Sequence, residues 1–493
     1  MEQTTGACAE DVRPSGGTGC TDRIDPTLRA YAARVARGGT HVGASDSDLQ
    51  RLLDGAARTT GVVGAALAIF DGERTRVFTT GVANEAAGRP VTSSTMFQIG
   101  SATKIYNAAL VMQLVDDGLV DLDEPVVSYL PDLRVPDADA NEAITLRQLL
   151  SMSSGLDNGP YTDHGPGDDA VSRYVAELSD VPVICPPGKM FGYSNAGTVV
   201  AGAVVERLTG VPWRQALTER LLAPSRLADT LTAFEDLVYR DVAVGYAPGP
   251  DGRTIVRPWR LPVSMEPAGS TLCTTAGDAA AFCRMLLDGG RSGAGDQVLS
   301  EVAVEAMCTP NVELPPDLRA HSDAWCVGPT QKRWDGATLY GHAGVNRSGS
   351  SNLLWCPERN FAVVTLVNVP AVAHHFNRTV IGTVLADLFG ITAPALPVAD
   401  DGLSPDLDRL VGAYERYGAR QEVTVQDGRL CLTFTDDPDQ RRTALAPVTA
   451  TSFVPADPTE HTVLGWPLAF IGSDREPATH VLNGIFAARR VGG

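Results

Sequence analysis

The spacing of hydrophobic and polar positions divides the chain. Two short β-prone runs, Ala65–Phe70 and Arg76–Thr80, flank the turn Asp71–Gly72, which is a hairpin signal. Residues Ile105–Val115 are apolar almost all round, so they predict a helix buried on every side, with Gly118 placed as its C-cap. From about residue 125 to 300 the pattern is helical, punctuated by Pro and Gly, with one long polar loop at Asn158–Asp169. Two further strands, Ser350–Trp355 and Phe361–Val369, are joined by Pro357–Asn360, and His375–Phe389 reads as a helix. Strands at both ends with helices between them predict an α/β sandwich plus a helical lobe.

Beyond the Pro- and Asp-rich segment Ala393–Pro405 the pattern changes again. Alternating runs such as Gln421–Val425 and Leu430–Phe434, around Asp427–Gly428, predict a small all-β domain. Residues 1–45 are rich in Gly, Thr, Ser and charge and read as an extension, with a short helix over Asp25–Gly38. The expected organisation is an extension over 1–45, a larger α/β domain over 46–395 and a C-terminal β-domain over 405–493. A length of 493 residues fits two or three such units.

Composition narrows the partners. The formal net charge is −19, which sets the chain against nucleic acid or an anionic membrane surface. No apolar run reaches the length of a membrane span. The segment Met1–Gly17 carries Glu2, Glu10 and Asp11 and no apolar run, so it is not a secretory signal, and a cytoplasmic location is expected. The nine Cys include no C-x-x-C pair and match neither a zinc site nor a disulfide framework. Free, mostly packed thiols are expected, with Cys185 near a cleft mouth as the less favoured alternative to simple packing. His374–His375 lacks the i,i+4 spacing of a metal helix, so no metal and no cofactor are predicted.

Only three Lys occur, Lys104, Lys189 and Lys332, so a Lys inside a motif is informative. Ser101-Ala102-Thr103-Lys104 is the only S-x-x-K. Positions i and i+3 share a helix face, which lets the amine reach the hydroxyl. A buried Lys with a depressed pKa can deprotonate Ser, and the free N–H groups of a helix start favour an oxyanion. Taken alone, the pair is equally compatible with an N-cap Ser and a helix-edge Lys. Tyr193-Ser194-Asn195 is the only Y-x-N; its phenol can shuttle a proton and its amide can hold a substrate amide or the Lys. A packed loop Tyr is the competing reading. His342-Ala343-Gly344 precedes the strand pair, and its two small residues let a substrate backbone lie along the strand edge. The N–H of Val345 would then complete an oxyanion hole with that of Ser101. His41-Val42-Gly43 is a second match, discounted because it precedes the Ser and lies in the extension.

With these motifs in order, the chain resembles the serine hydrolases related to class C β-lactamases and D-Ala-D-Ala carboxypeptidases, in which S-x-x-K carries the nucleophile. The likeness extends to Phe97–Gly100, Leu122-Asp123-Glu124-Pro125, Thr145–Leu150 with Ser154-Gly155-Leu156, Pro187-Gly188 and Pro267-Ala268-Gly269. It covers about residues 60 to 390. It implies a β-lactamase/DD-peptidase-like antiparallel sheet flanked by helices. The last segment resembles the lipocalin-like β-barrel appended to some relatives, through Leu410–Tyr414, Val423–Leu432 and Arg489-Arg490. Two departures stand out. His342 replaces the Lys usual in β-lactamases, as in esterases, some carboxypeptidases and acyl-transferring or cyclising relatives. Met152 stands where many relatives have His.

The resulting expectation is an acyl-enzyme mechanism with Ser101, Lys104, Tyr193 and His342 as catalytic residues. Ser101 and Val345 form the oxyanion hole, and Asn195, Ala343 and Gly344 bind substrate. The partner is a small-molecule acyl donor holding an ester, thioester or amide. A hydrolase comes first. A biosynthetic transacylase or cyclase with an amine or alcohol acceptor, as in natural-product tailoring, comes second, and a catalytically silent binding protein third. His164, Asp168 and Asp169 in the long loop either line the substrate entrance or, more simply, stay solvated.

Overall fold

The computed structural model describes residues 44–249, 252–437, 441–457, 466–472 and 475–492. The expected helix over Asp25–Gly38 and the discounted His41 lie outside the described residues.

Nine antiparallel strands form the main sheet, in the spatial order Arg89–Pro90, Thr75–Asn84, Gly64–Phe70, Phe361–Val367, Ser350–Cys356, Ala337–Val345, Thr330–Trp334, Ala324–Trp325 and Val312–Glu313. The first and last parts of this region therefore meet at the centre, where Ala65 pairs with Val367 and Phe70 with Ala362. Both central strands are buried throughout, because helices cover both faces. Side chains alternate across a strand. Ala65, Leu67 and Ile69 pack with the helices Asp46–Thr60 and Ala373–Phe389, while Ala66, Ala68 and Phe70 pack toward the helical lobe.

Asp46–Thr60 begins with a capping box between Ser45 and Asp48. The strand expected to run to Val369 stops at Val367 because Asn368 turns its side chain inward, accepting from Gly64 N at 2.7 Å and donating to Val82 O at 3.1 Å. The hairpin, the buried helix (Thr103–Asp116) and the last helix of this region stand as the hydrophobic pattern predicted. The middle region is not purely helical: Phe97–Gln98, Cys273–Thr274 and Thr230–Leu231 form a small sheet, and Tyr246–Gly249 pairs with Gly252–Ile255. Their two- to four-residue strands are too short to show a period.

The C-terminal part is a closed antiparallel barrel of eight strands from Gly412–Arg416 to Phe486–Val491, the first pairing with the last. Closure leaves no sheet edge. Tyr414, Leu432, Phe453, Phe470 and Val481 fill its interior. A mixed apolar cluster joins it to the larger body: Met152, Phe191, Tyr193 and Trp325 pack with Leu482, Ile485 and Ala487. Among the described residues no helix is long and apolar enough to cross a membrane.

Candidate active site

The strand Phe97–Gln98 leads through Gly100 into a 3-10 turn, Gly100–Ala102, that holds Ser101 and runs straight into the helix Thr103–Asp116. Gly100 has φ +54°, and a Cβ there would lie 2.5–2.7 Å from the backbone of Val345. Gly344 is equally constrained, since a Cβ would fall 1.8 Å from Ile99 O and 2.8 Å from Ala102 N. These two glycines let the Ser101 turn lie directly against the strand Ala337–Val345.

Lys104 follows one turn after Ser101 and is 1% exposed. Its Nζ donates to Asn195 Oδ1 at 2.6 Å and to Ala268 O at 2.8 Å, and lies 3.3 Å from Ser101 Oγ. Burial holds this amine well below its ordinary pKa. A neutral amine has two protons and one lone pair. With two carbonyl oxygens accepting from it, the lone pair of the neutral form would be left to face the Ser101 hydroxyl.

Tyr193 covers the same corner. Its ring centroid is 4.9 Å from Lys104 Nζ, and its hydroxyl interacts with the Ser101 side chain. Burial raises the phenol's pKa far above its usual value, so it keeps its proton. Ser194 caps the helix Asn195–Thr209 through Gly197 N at 2.9 Å, which fixes Asn195 at the first turn. Met152, in the unusual position, has φ 58° and supplies its sulfur to Ser194 N at 3.4 Å.

His342 is 5% exposed and projects toward Tyr193 and Trp325, with ring centroids 6.3 and 5.3 Å away. Its Nδ1 bonds Ala343 O. Burial pushes its pKa down to about 3, so the ring is a neutral wall and not a cation. The strand carrying it is paired on both sides only as far as Gly341; from His342 to Val345 only Ser350–Cys356 pairs with it. Its other edge is open to the cleft, and Ala343 and Val345 are exposed there. Asn346 N–H donates to Gly349 O, so by ladder alternation the N–H of Val345 points out of the free edge, beside Gly100 and Ser101.

The structure thus brings Ser101, Lys104, Tyr193, Asn195, His342, Gly344 and Val345 to one place, with Ala343 on the open edge. It does not bring His164, Asp168 or Asp169 there. Asp168 pairs with Arg214, Asp169 with Arg173, and His164 lies 3.4 Å from Glu177. The loop reaches the site through a residue that sequence reasoning missed: Tyr161, whose hydroxyl is 3.1 Å from Asn195 Nδ2 and 3.4 Å from Asn158 Nδ2. Also missed were Trp325 and the barrel residues Ile485 and Phe486. No local pattern marks them, since each reads as a packing residue in its own strand or turn. Cys185 is buried beside a cavity of about 650 Å³ at the seam between body and barrel, and burial pushes its thiol up to about 11. Neither Ser101 nor Lys104 lines that cavity. Among the described residues no group of three or more His, Cys, Asp or Glu side chains is placed to hold a metal ion.

The arrangement has counterparts. Residues 49–384 match the Beta-lactamase family model. Penicillin-binding protein 4 of Amycolatopsis lactamdurans is 34% identical over 360 residues, spanning 72% of this chain and 94% of that protein. The crystal structure of SurE with D-Leu superposes with a TM-score of 0.72 at 28% identity, covering 90% of this chain and 99% of the other. The D-amino acid amidase from Ochrobactrum anthropi SV3, complexed with D-phenylalanine, gives 0.57 at 26% identity, covering 68% and 99%.

Proposed function

This chain is an enzyme of the Beta-lactamase family, and from that premise we propose that it is a serine hydrolase whose nucleophile is Ser101. The observation that carries the reading is the placement of Lys104: buried, its pKa held well below the ordinary value by that burial, and its amine 3.3 Å from the Ser101 hydroxyl.

Lys104 accepts the Ser101 proton as Oγ forms its bond to the substrate carbonyl carbon. The N–H groups of Ser101 and Val345 hold the oxygen that becomes negative. As the tetrahedral intermediate collapses, Tyr193 gives its proton to the departing alcohol or amine and recovers one from Lys104. Water then attacks the acyl-enzyme, and the protons run back along the same path. Asn195 keeps Lys104 aimed, and the open edge from His342 to Val345 binds the extended part of the substrate. His342 contributes shape and no charge.

SurE solved with D-Leu and the amidase solved with D-phenylalanine support a D-aminoacyl ester or amide as the first substrate class to test. A second reading, transfer of the acyl group to an amine or alcohol, is supported by one feature: the barrel packs against the Tyr193 side of the site, where a cover would favour a bound acceptor over water. The test is turnover of paired D- and L-aminoacyl esters and amides, with products followed as an amine acceptor is raised. Preference for the D series, with water as acceptor, supports the main reading. Capture by the amine at a constant rate of donor consumption favours transfer. Turnover of neither series refutes this substrate class.

A further inference from the structure

The loop that carries Tyr193 and Asn195 belongs to the larger body, yet the barrel holds it from two sides. The turn between the strands His480–Asn483 and Phe486–Val491 presents Ile485 O to Tyr193 N–H at 3.2 Å. The next residue, Phe486, sets its ring edge-on to the Tyr193 ring, with centroids 5.8 Å apart and planes at 89°. Arg416, the last residue of the first barrel strand and next to the turn into the second, places its guanidinium 5.1 Å from the Phe486 centroid.

That same turn makes a second grip. Tyr417 N–H donates to Asp157 Oδ2 at 2.6 Å, across 260 residues of sequence. Asp157 is 2% exposed, and Arg416 offsets part of the cost of burying its charge. Its backbone oxygen accepts from Ser194 Oγ at 2.9 Å, and the adjoining Asn158 accepts from Asn195 N at 3.1 Å. Tyr193, Ser194 and Asn195 are therefore tied, directly or through the Asp157-Asn158 pair, to barrel turns. A barrel that merely capped the cleft would need none of these bonds to the backbone of the loop.

We infer that the C-terminal barrel is a working part of the proton-transfer machinery, with Phe486 and Arg416 as positioning residues that hold Tyr193 in line with the leaving group. The inference rests on the proposed role of Tyr193. A proton-transfer group loses effect when misplaced by fractions of an ångström, so its supporting contacts matter as much as the group itself. The Tyr193 ring is packed by Trp325 and His342 from the larger body and by Phe486 from the barrel, so Phe486 is the barrel's direct side-chain hold on it. Proton delivery matters most when the leaving group is a poor one. Loss of Phe486 therefore acts on alkyl esters and amides more than on a nitrophenyl ester, whose leaving group departs without help.

The experiment is a double-mutant cycle in the full chain, Phe486→Ala, Tyr193→Phe and both together, read on a nitrophenyl ester and an alkyl ester of the same acyl group. Phe486→Ala is expected to lower kcat on the alkyl ester by about tenfold or more, a part of the roughly 10²–10⁴-fold that a proton-transfer group supplies. KM should stay within about threefold. In the Tyr193→Phe background the same change should cost under about twofold, because residues acting through one group are not additive. Multiplying losses, equal losses on both esters, or no effect of Phe486→Ala beside a large effect of Tyr193→Phe would overturn the inference and leave the role of Tyr193 standing. No effect of Tyr193→Phe itself would overturn both. If Phe486→Ala does not fold, Phe486→Leu, which keeps most of the volume, carries the same cycle and the same outcomes.

Discussion

Ser101 and Lys104 lie one turn apart at the start of a helix in which residues 103–114 are all buried, and their further partner Ala268 also belongs to the larger body. Tyr193 and Asn195 sit in a loop whose contacts come in good part from the barrel, through Ile485, Phe486 and Tyr417. One half of the site is fixed by helix geometry and burial, and the other by the docking of a second folded unit. The first half should therefore be all-or-none, while the second should be tunable from outside the body.

The largest effect belongs to the first half. Ser101→Ala should abolish turnover on every donor while thermal unfolding stays within a few degrees of wild type. Residual turnover above about a thousandth of wild type would move the nucleophile elsewhere. Lys104→Met should cost about 10²–10⁴-fold, the span for a lost general base, and the loss should not be recovered by changing the leaving group. A leaving-group-dependent loss would place Lys104 with Tyr193 instead. Tyr193→Phe falls in the same span on alkyl esters and amides but less on nitrophenyl esters. A fall of under about threefold on both would make Tyr193 a structural residue.

β-Lactams probe the wall between the halves. His342, neutral because burial holds its pKa near 3, replaces the cation usual in β-lactamases. Nitrocefin turnover should lie at least about tenfold below that of the best ester, and near-equal rates would contradict the neutral-wall account.

The smallest effect concerns the segment that supports Lys104. Glu266 lies in the 3-10 turn Val263–Ala268, is 2% exposed, and has its pKa pushed up to about 7 by burial, against the pull of Arg214 and with Glu206 beside it. A carboxyl whose pKa is raised on folding contributes stability that is full below its unfolded value and lost as pH rises through the folded one. Between pH 5 and pH 8 the stability difference should therefore shift in favour of Glu266→Gln over wild type, by on the order of 1–3 kcal/mol. A difference that does not change with pH would remove this carboxyl from the account.

What the sequence made legible follows the same division. The Ser101–Lys104 pair is visible because i,i+3 spacing on a buried helix is a local fact. The free edge beyond Gly341 was foreshadowed by small residues at Ala343 and Gly344. The all-β character of the last unit was visible from its alternating runs, and its barrel form only through the resemblance. The contacts between the units were not. Phe486 reads as one more alternating barrel residue, Asp157 as a loop carboxylate, and Tyr161 as an aromatic among polar neighbours. Their roles depend on how two units dock, which no local pattern encodes. The long loop's acidic residues stay at the surface, as the simpler reading holds, with Asp168 and Asp169 paired to arginines, while its tyrosine, which that reading does not single out, reaches Asn195.

The account stands on a covalent acyl-enzyme at one residue. Wild-type protein incubated with a fluorophosphonate or a slowly released acyl ester, then measured by intact mass and peptide mapping, tests it directly. The account predicts a single added phosphonyl or acyl group, mapped to Ser101 and lost in Ser101→Ala. An adduct on Cys185 or any other thiol, or labelling undiminished in Ser101→Ala, would contradict it.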